Sequence, residues 1–133
     1  MAKEAPVLAI IVDDSAAAPQ TISNDVIGVD FATPRGVQDS TGMDKTAHER
    51  LLLLADFSAT LKGIFNDATN MSHAVFKTVP STAVTRTVSL AMSGQTLACE
   101  CVLSDYALSR AQSGELTWTV PAALQDGTAP TWA

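Results

Sequence analysis

Most of this chain alternates with a period of two, which predicts a mainly β fold: a β-sandwich or closed barrel with one flanking α-helix at about residues 67–79. Three observations carry that expectation. Apolar and polar residues alternate over several segments between Asn24 and Val120. Short glycine-containing turns separate the later segments. Only the stretch from Asn66 to Val79 changes to a spacing of four.

The 133 residues are expected to form one domain over 1–133, with a long polar loop or arm at about 33–50 and a short tail at about 125–133. Hydrophobic residues make up 47%, enough for a real core. Charged residues are only 17%, below the usual quarter or so, which fits a surface partly covered by other subunits. The net charge of −6 disfavours adhesion to nucleic-acid phosphates. It is compatible with DNA that slides past without sticking.

Val7 to Val12 is a short β-branched run between Pro6 and Asp13-Asp14 and reads as a buried strand. Ser15 to Gln20 reads as a turn or loop. From Asn24 to Phe31, Val26, Gly28 and Asp30 face one way and Ile27, Val29 and Phe31 the other. Thr33 to Thr46 holds Pro34, Gly36 and Gly42 and follows neither period, so it is expected to be irregular. A structureless stretch of that length in a small domain is functional or ordered by a partner.

Leu51 to Phe65 reads as one strand. Ala55, Phe57, Ala59, Leu61 and Gly63 share a face, opposite Asp56, Ser58, Thr60 and Lys62. In the helical stretch Asp67 is the expected N-cap, Met71, Val75 and Val79 form an apolar stripe, and Pro80 ends it. A three-stranded meander follows. Its inward faces are Val84, Val88, Leu90 and Met92, then Leu97, Cys99, Cys101 and Leu103, then Leu116, Trp118 and Val120.

Sites for chemistry are scarce. Ser72, His73 and Asp67 suggest a triad by type only, without a nucleophile elbow or a glycine-rich oxyanion turn. No phosphate loop occurs. Asp39 to Asp44 looks superficially like a cation loop, but turn chemistry explains it as well. Cys99 and Cys101, two apart on a strand, read as buried small hydrophobes in a reduced state. No catalytic residue, metal or cofactor is assigned, and no enzyme activity is expected. The start MAKEAPVLAIIVDDS shows no signal-peptide pattern, and no apolar run is long enough to cross a bilayer as a helix.

The order of several blocks resembles the siphophage tail tube (major tail) protein family. Thr41-Gly42-Met43-Asp44 leads through His48-Glu49-Arg50 to Asp56-Phe57-Ser58-Ala59-Thr60-Leu61-Lys62-Gly63-Ile64-Phe65-Asn66 and Ser72-His73-Ala74-Val75-Phe76-Lys77. Asp105-Tyr106-Ala107-Leu108-Ser109-Arg110, Gly114-Glu115-Leu116-Thr117-Trp118 and Pro130-Thr131-Trp132 complete the series. The likeness covers about residue 22 onward. It implies a virion structural protein in a bacteriophage tail, assembled in the host cytoplasm. Hexameric rings would stack by self-assembly into a tube that conducts DNA ejection without binding DNA specifically. The implied partners are the chain itself and tape measure, terminator and baseplate proteins, with no membrane.

A tube needs a lumen wall and contacts between rings. Asp56, Ser58, Thr60 and Glu100 are the lumen candidates, with plain solvent exposure on an outer face as the competing explanation. Asp39, Met43, Asp44, His48, Glu49 and Arg50 are the candidates for inter-ring or inter-subunit contact, against a mobile surface loop. Trp132 joins them, either docked on a neighbour or folded back on its own sheet. Other classes stay open: a terminator, a tube-like protein of a contractile system, or a soluble β-sandwich binding domain.

Overall fold

The computed structural model describes residues 8–133. Val7, the first residue of the expected N-terminal strand, lies outside them. In chain order the elements are β1 (Leu8–Asp13), β2 (Pro19–Thr21), β3 (Val26–Ala32), β4 (Arg35–Asp39), β5 (Arg50–Ala55), β6 (Ser58–Ile64), α1 (Ser72–Phe76), β7 (Arg86–Met92), β8 (Gln95–Leu103), β9 (Ala107–Arg110) and β10 (Leu116–Leu124). The chain is mainly β with a single short helix among the described residues, as the alternation predicts.

Eight strands form one antiparallel sheet in the order β2-β1-β7-β8-β10-β6-β3, with β9 also on β10. β10 organises it. One edge pairs with β6 from Thr117↔Ile64 to Ala123↔Ser58. The other edge is shared, with β9 on its first half and β8 on its second. The sheet wraps round one apolar core containing Ile10 and Val12 of β1, Leu61 of β6, Leu90 of β7, Leu97 of β8, and Trp118 and Val120 of β10. These positions alternate along their strands, so the period-two pattern is the direct cause of the core. Ser93-Gly94 closes the β7–β8 hairpin as a two-residue turn with both φ angles positive, at 49° and 77°. Such a turn matches the natural strand twist and favours glycine.

Several expected boundaries are corrected. The helix is five residues, Ser72–Phe76, within the expected 67–79 span. Met71 stands at the N-cap, and Asp67 does not cap it. The cap comes from far away in sequence. Buried Asp25 accepts the Ser72 N–H at 3.0 Å through Oδ2 and the Asn66 side-chain amide at 2.9 Å through Oδ1. The flanking residues are tied into turns instead, with Ala68 N–H bonded to Asn66 Oδ1 and Val79 N–H to Phe76 O.

Ile27 does not share a face with Val29 and Phe31. A bulge between Val26 and Gly28 turns it outward, while Val26, Val29 and Phe31 pack on the core. Leu51 to Phe65 is not one strand but two, β5 and β6, in different sheets. Val84 precedes β7 and is exposed.

Arg86 joins the helix to the sheet. It is 1% exposed, and its guanidinium donates to Val75 O, to Thr78 Oγ1 at 2.8 Å and to Asp13 O at 3.4 Å. Burial pushes its pKa down, and the charges of Asp14 and Asp13 work against that shift. Arg86→Met is expected to leave the Val75 carbonyl and Thr78 hydroxyl without their donor. The cost is on the order of 2–4 kcal/mol. Urea unfolding measures it; an unchanged midpoint would show that the clamp contributes nothing.

Candidate assembly surface

β4 and β5 pair only with each other, as a two-stranded sheet with Val37↔Leu52, Gln38↔Leu51 and Asp39↔Arg50 in register. They continue the β3–β6 pair, whose last rung is Ala32↔Ser58. One long ribbon thus leaves the body, interrupted at Thr33-Pro34 and Asp56-Phe57. Pro34 cannot donate to a ladder, so the break falls where the chemistry requires it. The joint is held by Asp56 N–H on Pro34 O at 2.9 Å, while Phe57 turns inward and is fully buried. The segment expected to be irregular therefore contains a strand. Its alternation is hidden by Gly36 and by the bulge between Arg35 and Val37.

Every residue from Ala32 to Leu54 is exposed. Yet β5 carries four consecutive leucines, Leu51, Leu52, Leu53 and Leu54, at 54%, 63%, 44% and 91% exposure, with Val37 beside them at 55%. Alternation sends leucines to both faces of the ribbon. An isolated two-stranded hairpin is marginal in water, and contiguous exposed leucines make the arm the candidate surface for contact with a partner.

The arm's tip gathers most of the expected contact residues. Asp39 Oδ1 accepts the N–H and the hydroxyl of Thr41, and the Thr41 hydroxyl in turn accepts the Glu49 N–H at 2.8 Å. The Thr41 hydroxyl is the main influence holding the Asp39 carboxyl below its ordinary range. His48 Nδ1 lies 3.4 Å from Asp39 Oδ2, and Lys45 Nζ lies 3.7 Å from Glu49 Oε1 and 3.9 Å from Asp44 Oδ2. Met43 stands wholly in solvent. Arg50 is across the ladder from Asp39. The tip is thus ordered by its own polar bonds, and the cation-loop alternative has its key carboxylate already engaged.

Trp132 is elsewhere. It bridges to Leu97 on the edge of β8, its ring centroid lies 6.2 Å from that of Phe31, and about half of it stays exposed. Thr96 and Ala133 exchange backbone bonds of 2.7 and 2.8 Å beside it.

The outward face of the main sheet is a second surface. Ser58 and Thr60 of β6 oppose Ala123 and Pro121 of β10, and Ala123 opposes Val102 of β8. Thr87 opposes Glu100, and its hydroxyl donates to Glu100 Oε2 at 2.6 Å. Three lumen candidates, Ser58, Thr60 and Glu100, therefore lie on one face among small residues. Asp56 sits at the arm's joint, its carboxylate accepting the Phe57 N–H at 2.8 Å.

Two of the residues that suggest a hydrolytic triad by type, Ser72 and His73, have other partners. Buried Ser72 donates to Ile64 O, and His73 is half-buried with Nδ1 3.2 Å from the Tyr106 hydroxyl and its ring 4.7 Å from Phe65. His73 thus belongs to an aromatic cluster rather than to an open polar surface. Among the described residues no three His, Cys, Asp or Glu side chains converge to hold a metal.

Cys99 and Cys101 are free and buried. Burial raises both thiols, Cys101 to about 12. They are expected to resist a thiol reagent at pH 8 and to react together once denaturant is added. Rapid native labelling would contradict their burial. The sign for stability follows: the folded state holds these protons more tightly, so their contribution is intact below the unfolded pKa near 9 and declines as pH rises toward 12.

Sequence reading missed Arg35, Val37 and Leu52–Leu54 as surface residues. Their signal was present as four leucines without alternation, which a half-buried strand does not need.

No family model matches the chain, and no curated protein matches it in sequence. Solved structures do match its fold. One is a chain in the tail of an empty gene transfer agent particle computed with helical refinement in C6 symmetry: TM-score 0.79, 14% identity, 99% of each chain covered. Another is a chain in the virion of a native gene transfer agent particle: TM-score 0.78, 14% identity, again 99% of each chain. At that identity the likeness concerns the fold, and it extends over the arm as well as the body.

Proposed function

We propose that this chain is a structural subunit of a phage-like tail, and that it self-associates into stacked rings forming a tube for DNA ejection. The arm carries the proposal. A ribbon with leucines on both faces and no cover in its own subunit is suited to a polymer, in which neighbours bury it. Burying the leucines would contribute roughly 4–7 kcal/mol per subunit, a substantial part of what offsets the freedom lost on association. The fold shared with a chain of a gene transfer agent tail and a chain of a gene transfer agent virion supports the same reading, as does the tail tube resemblance, which adds hexameric rings and a virion location. Tape measure, terminator and baseplate proteins are the further partners it implies.

In the tube, the small-residue face bearing Ser58, Thr60 and Glu100 lines the lumen. Hydroxyls and methyls offer DNA phosphates little to hold, and acidic groups repel them.

Negative-stain electron microscopy over a concentration series tests this directly. Rings or hollow tubes of uniform diameter are expected, with averaged density placing the small-residue face inside. A chain that stays monomeric alone, and stays out of tubes when mixed with the other tail components, would sink the proposal.

A further inference from the structure

The arm's base holds a groove of about 830 Å³, lined by Arg35, Gly36, Leu52, Leu53, Leu54 and Ala129. Its walls are leucine. Its one charged group is Arg35, whose Nε donates to Leu53 O at 2.9 Å and so keeps the guanidinium at the rim. Among the described residues the ion pairs are at the arm's tip, and none involves Arg35. An apolar groove with a single unpaired cation at its edge suits an apolar side chain adjoining a carboxylate.

The same chain displays that combination. Met43 is wholly in solvent, and the Asp44 side chain beside it is 82% exposed. The tip does not fill its own groove. Met43 is wholly in solvent, and the ladder from Arg35 to Asp39, at about 3.3 Å per residue, sets the two ends of the ribbon roughly 13 Å apart.

We propose that the tip of one copy's arm seats in the groove at the base of a second copy's arm, with Met43 among the leucines and Asp44 on Arg35. An unbranched thioether side chain fills an irregular apolar gap well. Tip-to-base contact joins unlike surfaces, so it propagates from copy to copy, closing into a ring or extending along an axis according to its rotation. This rests on the self-assembly reading and adds the specific pair of surfaces.

Two variants, Met43→Cys and Ala129→Cys, are mixed under assembly conditions and oxidised; Cys99 and Cys101 are buried and do not compete. A disulfide-linked dimer is expected from the mixture and from neither variant alone. Asp44→Arg and Arg35→Glu are each expected to raise the concentration needed for assembly about tenfold, and the double variant to restore it. Assembly at the ordinary concentration without the cross-link or the charge-swap rescue overturns this pairing and leaves self-assembly standing. Cross-linking of Ala129→Cys to a different tail protein in the complete tail also overturns it. An unaltered chain that assembles neither alone nor with the other tail components removes both proposals.

Discussion

A subunit carrying Leu52→Asp and Leu54→Asp together is expected to fold normally and to lose its ability to associate. Both side chains face solvent in the isolated subunit, at 63% and 91% exposure, so the folded state has little to lose. Surface changes of this kind stay within about 0.5 kcal/mol, which corresponds to a melting shift of about 2 °C or less for a chain of this size. Assembly would feel the change in full. Scaled by those exposures, the two leucines buried between copies contribute roughly 2–5 kcal/mol together. That is on the order of thirtyfold to several-thousandfold in the concentration at which particles appear. Desolvating two new carboxylates adds to the loss. Leu52→Met with Leu54→Met keeps the apolar surface and should assemble like the unaltered chain. Light scattering against concentration and a thermal melt give both readouts. Aspartate variants that assemble at the ordinary concentration would show that the arm is not the contact.

The distinction between body and arm was only partly legible in the sequence. Strands β7, β8 and β10 were readable because each has one buried face, and their inward residues alternate without interruption. β6 was readable for the same reason from Phe57 to Gly63. β4 was not, because all five of its residues are exposed and no burial imposes a pattern on them. β5 was read as the start of β6, because nothing in the sequence from Leu51 to Phe65 marks the break that the fold places at Asp56-Phe57. The helix was found by its Val75 stripe but overextended, since turns held by Asn66 and Thr78 can carry apolar residues at helical spacing. Asp25, its true cap, lies 47 residues from Ser72, beyond any local signal. Among the site residues, Asp39 and Asp44 were legible as turn formers. The groove at Arg35 needed the fold, because it brings together β4, β5 and Ala129.

Gly63→Ala is expected to be the most damaging small substitution, and the reason lies in how the arm is rooted. A Cβ at this position would stand 2.3 Å from Trp118 Cζ2 and 2.3 Å from Asp25 O. Neither neighbour is free to move. Trp118 is buried, donates through Nε1 to Ile64 O at 2.9 Å, and has its ring 5.0 Å from that of Phe76. Asp25 accepts the Ile64 N–H at 2.8 Å through its carbonyl, while its carboxylate caps α1. Relieving the clash must therefore pull β6 from β10, or the helix from the sheet. Overpacking of a well-filled core costs about 1–3 kcal/mol, and a lost buried hydrogen bond adds roughly 1–3 more. A total near 3–5 kcal/mol is a large part of an ordinary domain's stability, and a melting temperature lower by roughly 10–20 °C is expected. Trimming the ring should compensate in part: Trp118→Leu added to Gly63→Ala is expected to cost less than the two changes summed. Strict additivity would mean that the ring is not what the methyl meets. Because β6 carries Ser58 and Thr60 and leads directly into the arm, the same variant should also raise the concentration needed for assembly. The leucine double variant separates the two effects, since it alters association with the root intact, whereas Gly63→Ala alters association only by loosening the root.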